Sequence, residues 1–172
     1  GTTDEQILDN SIPLSRHTDG KGVKIMAISV AGRTGGQSFS VNYTNSDGLS
    51  GRTTPPIVEN STSIVGNIVT SERALFNSSS PFLPLQRGDD GVRSIESVTM
   101  NGLDVGLFTL VLVKPLAQMF IREITAPVEN DYLLNFSQLP VIENDAYLNF
   151  LCCPSGSLSG AQIMGTIKTV WN

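Results

Sequence analysis

The chain has 172 residues, enough for one domain with a proper hydrophobic core, and 11 Lys and Arg against 16 Asp and Glu give a net charge of −5. No cluster of Lys or Arg occurs, which argues against direct nucleic-acid binding, because neutralising phosphates takes concentrated positive charge. Charged residues make up only 16%, below the usual share of about a quarter, so Ser, Thr, Asn and Gly carry the polarity; that balance suits strands, turns and surfaces that pack on other surfaces.

Residues 1–22 differ from the rest. Residues 4–8 allow a helical turn, but Pro13, Gly20 and Gly22 break any longer element, so an extended N-terminal arm is expected, laid over its own surface or a neighbour's. Strands are predicted at 23–30 and 38–44, the second with Phe39, Val41 and Tyr43 alternating against Ser40 and Asn42, the mark of a half-buried strand. Between them, Gly32 to Gly36 has the chemistry of a flexible hairpin loop, and Asn45, Ser46, Asp47 and Gly48 form a turn. Short strands are predicted at 57–60, 64–70 and 72–76, followed by a loop at 77–80 and an extended segment held by Pro81 and Pro84.

The longest apolar run, VGLFTLVLV at 105–113, is bounded by Asn101-Gly102 and Lys114-Pro115. It reads as a core strand buried on both faces, paired with 92–100 in a central hairpin about Asn101-Gly102. Further strands are predicted at 117–124, 128–136, 147–152 and 163–171, the last tying Trp171 into a sheet. Roughly ten short strands with frequent turn signals and no long helix indicate an all-β chain, an antiparallel β-sandwich of jelly-roll-like type. The domain reading is an extended arm at 1–22 and a single β-sandwich domain at 23–172.

Few constellations point to chemistry. His17 is the one histidine and falls in the arm, so it is expected to be exposed and neutral in role, with neither a His-rich zinc site nor a serine triad built on it. Arg87-Gly88-Asp89 spells an integrin-type tripeptide but also reads as a polar turn, and Asp89, Asp90 and Asp104 are candidates to gather a hard cation without the spacing of a calcium loop. Glu96, Glu123, Glu129 and Glu143 are scattered, and nothing singles out a pair for glycoside hydrolysis. Aromatic content is 6%, which weakens a glycan-binding face built on Tyr43, Tyr132 and Tyr147. Asn42, Asn60, Asn77 and Asn135 each open a glycosylation sequon, read as chance in an Asn- and Ser-rich chain. Cys152 and Cys153 are adjacent and cannot staple distant segments, so two small buried hydrophobes are expected. No catalytic, cofactor-binding or metal-binding residue is assigned, and no enzymatic activity is expected. No apolar run is long enough to span a membrane, and no signal peptide is expected.

As a set, YTNSDGLSGRT (43–53), PFLPLQRGDDGVRSIESVTM (81–100), DVGLFTLVLVKPLA (104–117) and DAYLNFLCCPSGSLSGA (145–161) resemble uncharacterised virion structural proteins of tailed bacteriophages. The resemblance covers most of the chain, is weakest over the first 40 residues, and carries no site residues with it. It implies a place in the virion, assembled in the host cytoplasm. Together with the composition, it leads to the expectation of a non-enzymatic capsid decoration (cement) protein that binds the major capsid protein or other virion proteins. Trimers are favoured, because closed symmetric assemblies hide sheet edges. A tail, collar or fibre-associated module contacting the host surface, or a glycan-binding β-sandwich, are the alternatives.

Overall fold

In a computed structural model the chain is described at residues 2–8, 14–70, 80–121, 123, 126–135, 140–153 and 163–170. The strands in chain order are β1 (Gln6–Ile7), β2 (Lys24–Thr34), β3 (Ser38–Asn45), β4 (Arg52–Thr53), β5 (Ile57–Val58), β6 (Thr62–Ser63), β7 (Val92–Met100) and β8 (Val105–Val113). One helical turn, α1 (Tyr132–Asn135), follows. All strand pairs are antiparallel, and they form two sheets. The larger runs β1-β7-β3, with β4 and β5 sharing the far side of β3; the smaller runs β6-β2-β8.

Alternation decides which face of each strand is buried. Phe39, Val41 and Tyr43 of β3 are fully buried, whereas Ser40, Asn42 and Thr44 between them are half-buried. Opposite them in β7, Val98 faces Val41 and Ile95 faces Tyr43, and Met100 faces Phe39. From the smaller sheet, Ile25 and Ala27 of β2 join the same core, with Phe108, Leu110 and Leu112 of β8 packed against it. Each such side chain, fully buried, contributes about 1.5–3 kcal/mol. The result is a sandwich-like pair of sheets around one apolar cluster.

The two loops expected to make hairpins make corners instead. β2 and β3 lie in different sheets, and so do β7 and β8, so neither residues 35–37 nor 101–104 closes a hairpin. The reason lies in the backbone at Asn101-Gly102: a two-residue hairpin turn of the favoured type needs positive φ at both positions, and neither residue has it. Gly102 serves close approach, since a Cβ there would overlap the side chain of Gln37 in the other corner. The corners are joined by Asn101 N–H donating to Ser38 O (2.8 Å) and by Asn101 Nδ2 donating to Ser38 Oγ (2.8 Å).

Three further expectations need correction. β8 is an edge strand with β2 as its one neighbour, and its outward residues Val105 and Leu107 are 66% and 64% exposed, so it is not buried on both faces. Residues 64–70 form turns and a single bridge, Ile28 to Ile68, while the strand of that region is β6. Beyond Val113 no strand occurs among the described residues, although 117–124, 128–136, 147–152 and 163–171 were expected to supply four; many of their described apolar residues, such as Phe120, Leu134, Phe150 and Ile167, are exposed. Residues 72–76 and Trp171 lie outside the described residues.

Part of the N-terminal region rests on its own sheet. Gln6 and Ile7 pair with Val98 and Ser97, and Ser97 Oγ donates to Glu5 at 2.5 Å. Further on, Lys21 bridges to Gly91. Gly20 sits at φ +70° with Val92 O only 2.6 Å from where a Cβ would stand, so the chain passes too close to β7 for any other residue.

Candidate interaction surface

Two polar clusters brace the sheets. In the first, the Asp89 carboxylate receives Arg52 Nε and Nη2 at 3.0 Å each, Asn45 Nδ2 at 2.8 Å and the Tyr43 hydroxyl at 2.5 Å. The Tyr43 hydroxyl in turn accepts from Gln86 N–H (2.8 Å). Burial alone would raise the Asp89 carboxyl, but the hydrogen bonds from Arg52, Tyr43 and Asn45 outweigh it and hold it below the usual carboxylate range. Burial and the bond to Asp89 push the Tyr43 phenol up. The acid of the Arg87-Gly88-Asp89 tripeptide is therefore spent internally, its side chain 3% exposed, and the tripeptide is a turn that anchors a loop.

The second cluster escaped the sequence reading. Arg33 at the end of β2 pairs with Glu59, just past β5, and reaches Asp104, just before β8, at 3.0 Å. Its guanidinium also lies over the Phe108 ring, 4.9 Å from the centroid. All three side chains are sealed from solvent, which raises Glu59 to about 7, burial being the larger cause and its hydrogen bond with Asp104 the next. Burial opposes the shift of Asp104, yet its bonds with Glu59 and the Val105 N–H, with the charge of Arg33, keep its carboxyl low. Nothing in the spacing of residues 33, 59 and 104 marks them, because the contacts form only once two sheets stack. The cluster opens onto no described cavity.

The remaining candidates do not converge. Asp89 and Asp104 belong to separate clusters, and no group of three His, Cys, Asp or Glu among the described residues is placed to hold a metal ion. Glu96 accepts from Thr44 Oγ1 (2.7 Å) and Gly51 N–H, while Glu129 and Glu143 are exposed in the segment beyond β8. Tyr43 is buried, Tyr132 bonds the backbone of Gln118 through its hydroxyl, and Tyr147 is exposed, so no tyrosine platform includes Tyr43. Asn42 is engaged by Ser97 and Thr53, Asn77 lies outside the described residues, and Asn60 donates weakly to Ile68 O. His17 is half-buried at φ 61° beside Lys114 Nζ (3.2 Å), a partnered turn residue rather than a free one. Cys152 and Cys153 are free and exposed, contrary to the buried pair expected.

What the fold leaves unsatisfied is a surface. β8 carries no charge and no proline along nine residues, and its outer edge pairs with nothing among the described residues. Its outward face adds Val105, Leu107 and Val111, with Val30 of β2 exposed beside it. Beyond it, the described residues from 117 to 170 present apolar side chains to solvent, among them Phe120 at 70%, Tyr147 at 87%, Phe150 at 81% and Met164 at 86%. Natural edges are blunted by charge, proline or cover. This one carries neither charge nor proline and is paired by no other strand among the described residues.

Compared with protein-family models, curated proteins and solved structures, the chain matches none. Among the described residues no helix is long and apolar enough to cross a membrane.

Proposed function

We propose that this protein is a non-enzymatic structural component of a tailed-bacteriophage particle, a capsid decoration protein that binds across neighbouring major capsid subunits and stabilises the head. The observation that carries the reading is the apolar surface left open on β8 and beyond it: Val105, Leu107, Phe120, Phe150 and Met164 are all exposed, more apolar side chains than a free monomer leaves to water in one stretch. The resemblance of residues 43–53, 81–100, 104–117 and 145–161 to phage virion proteins supplies the setting. Binding the assembled lattice but not the free subunits stabilises it by mass action, multiplied over many sites.

The jelly-roll-like reading of the β-sandwich draws support from nested pairing. β2 pairs with β8 in one sheet and β3 with β7 in the other, so a long double hairpin is rolled across two sheets. Residues 1–22 serve as an arm laid along the sheet, anchored on β7 through Gln6–Ile7 and again where Lys21 bridges to Gly91. Trimers suit a lattice point of a shell.

Quantitative mass spectrometry of purified particles tests the role. Hundreds of copies per particle support head decoration. A dozen or fewer move the protein to the tail, neck or fibre, and its absence from particles overturns a virion role altogether.

A further inference from the structure

We infer that residues 146–153 of one copy add as a strand to the open edge of β8 in a second copy, so that the protein assembles by exchanging its C-terminal segment. Edge and segment match in kind. β8 offers nine charge-free residues with unpaired backbone groups; Ala146 to Cys153 supplies eight charge-free residues, AYLNFLCC. None of the backbone hydrogen bonds of the described residues ties 147–153 to a strand, and Ala146 N–H goes only to Glu143 O in the preceding turn (3.1 Å). An unpaired charge-free edge and an unpaired charge-free segment complete each other by β-augmentation.

The second copy is the occupant because supply and demand balance within one sequence. Every chain carries one such edge and one such segment, so a closed ring of copies satisfies all of both. The exposed side chains agree: Val105 and Leu107 on the edge are 66% and 64% exposed, Tyr147 and Phe150 on the segment 87% and 81%, and pairing would bury both sets. A pivot is present too: Asp145 stands at φ 61° and pairs with Arg16 at 3.2 Å, which fixes the start of the segment while leaving the rest unheld. The inference is independent of the virion role, since absence from particles would overturn that role and leave the exchange untouched.

Disulfide trapping in the full-length chain tests it. One set of chains carries Cys152→Ser and Cys153→Ser together with a single new cysteine at Val105, Leu107, Thr109 or Val111 in turn, all outward positions that leave the core intact. Each is mixed, with a mass tag, with chains that keep Cys152 and Cys153. Mild oxidation is expected to give mixed links between β8 and the segment, strongest at one of the four positions, and the position reads the strand direction. Light scattering of the unmodified chain is expected to show a closed oligomer, and Val111→Lys to lower its mass with the circular dichroism unchanged. A monomer at micromolar concentration overturns the inference. So does a Leu107→Cys or Val111→Cys chain retaining Cys152 that links only within itself, or a product dominated by β8-to-β8 links.

Discussion

Glu59 and Arg33 form an ion pair closed to water, with 0% and 4% of their side chains exposed, at the seam where β2, β5 and β8 meet. Two carboxyls share one guanidinium there, since Asp104 lies 3.0 Å from Arg33 as well. Glu59 answers to pH first. Its pKa rises from 4.5 to about 7 on folding, so the stability it adds is complete below 4.5 and is lost as the pH rises through 7. The loss amounts to about 3 kcal/mol. Asp104 is shifted the other way, and its contribution is lost only at more acid pH. Thermal melts are therefore expected to fall from pH 5 to pH 8, and Glu59→Gln to flatten that slope, because an amide has no proton to give up. An unchanged slope in the variant would place the titration elsewhere.

Arg33→Ala strands both carboxyls in the core and removes the contact with Phe108. Denaturant unfolding is expected to show a loss of about 3–5 kcal/mol at pH 7, the usual cost of breaking a buried pair from one side. The double variant Arg33→Met with Glu59→Gln should recover much of it. A loss under about 1 kcal/mol for the single change would mean that the pair is solvated in solution.

Asp89→Ala leaves the Tyr43 hydroxyl, Asn45 and Arg52 without their acceptor beneath the loop at 86–90. The expected cost is about 2–4 kcal/mol, with Tyr43 the costliest of the three because it is fully buried. The same geometry predicts that the wild-type chain will not support adhesion through Arg87-Gly88-Asp89, and a cell-adhesion assay with a soluble competitor peptide checks this.

Two glycines separate close approach from conformational need. At Gly20 a Cβ meets the rigid backbone of Val92 and the residue holds φ +70°, so Gly20→Ala is expected to cost more than about 2 kcal/mol. At Gly102 a Cβ meets only the exposed side chain of Gln37. Gly102→Ala should cost less than half as much, and Gln37→Ala should remove most of that. Denaturation midpoints of the three variants check the order.

The strands themselves were legible where alternation or a bounded apolar run marked them. Phe39, Val41 and Tyr43 announce the inner face of β3, and residues 92–100 and 105–113 match β7 and β8. Pairing was not legible. Asn101-Gly102 carries the composition of a hairpin, yet its φ angles turn the chain from one sheet into the other, and composition alone does not distinguish the two. A run such as 105–113 likewise looks the same whether its second face is covered within the chain or left bare. The Arg33, Glu59 and Asp104 cluster joins residues far apart in sequence, and Cys152-Cys153 sits at the surface, so neither followed from local pattern.

The corners also govern when this protein can fold during synthesis. Because β2 passes over β3 to find β8, Lys24 pairs with Val113 and Asn45 with Val92, and the smaller sheet has no second long strand until residue 113 has emerged. Until then Ile25 and Ala27 have no partner from β8, and the nascent chain carries them open to water. Pairings this distant in sequence place refolding in the range of about milliseconds to seconds. A ribosome stalled before residue 105 is expected to hold a protease-sensitive chain, and one stalled well past residue 113 a resistant one.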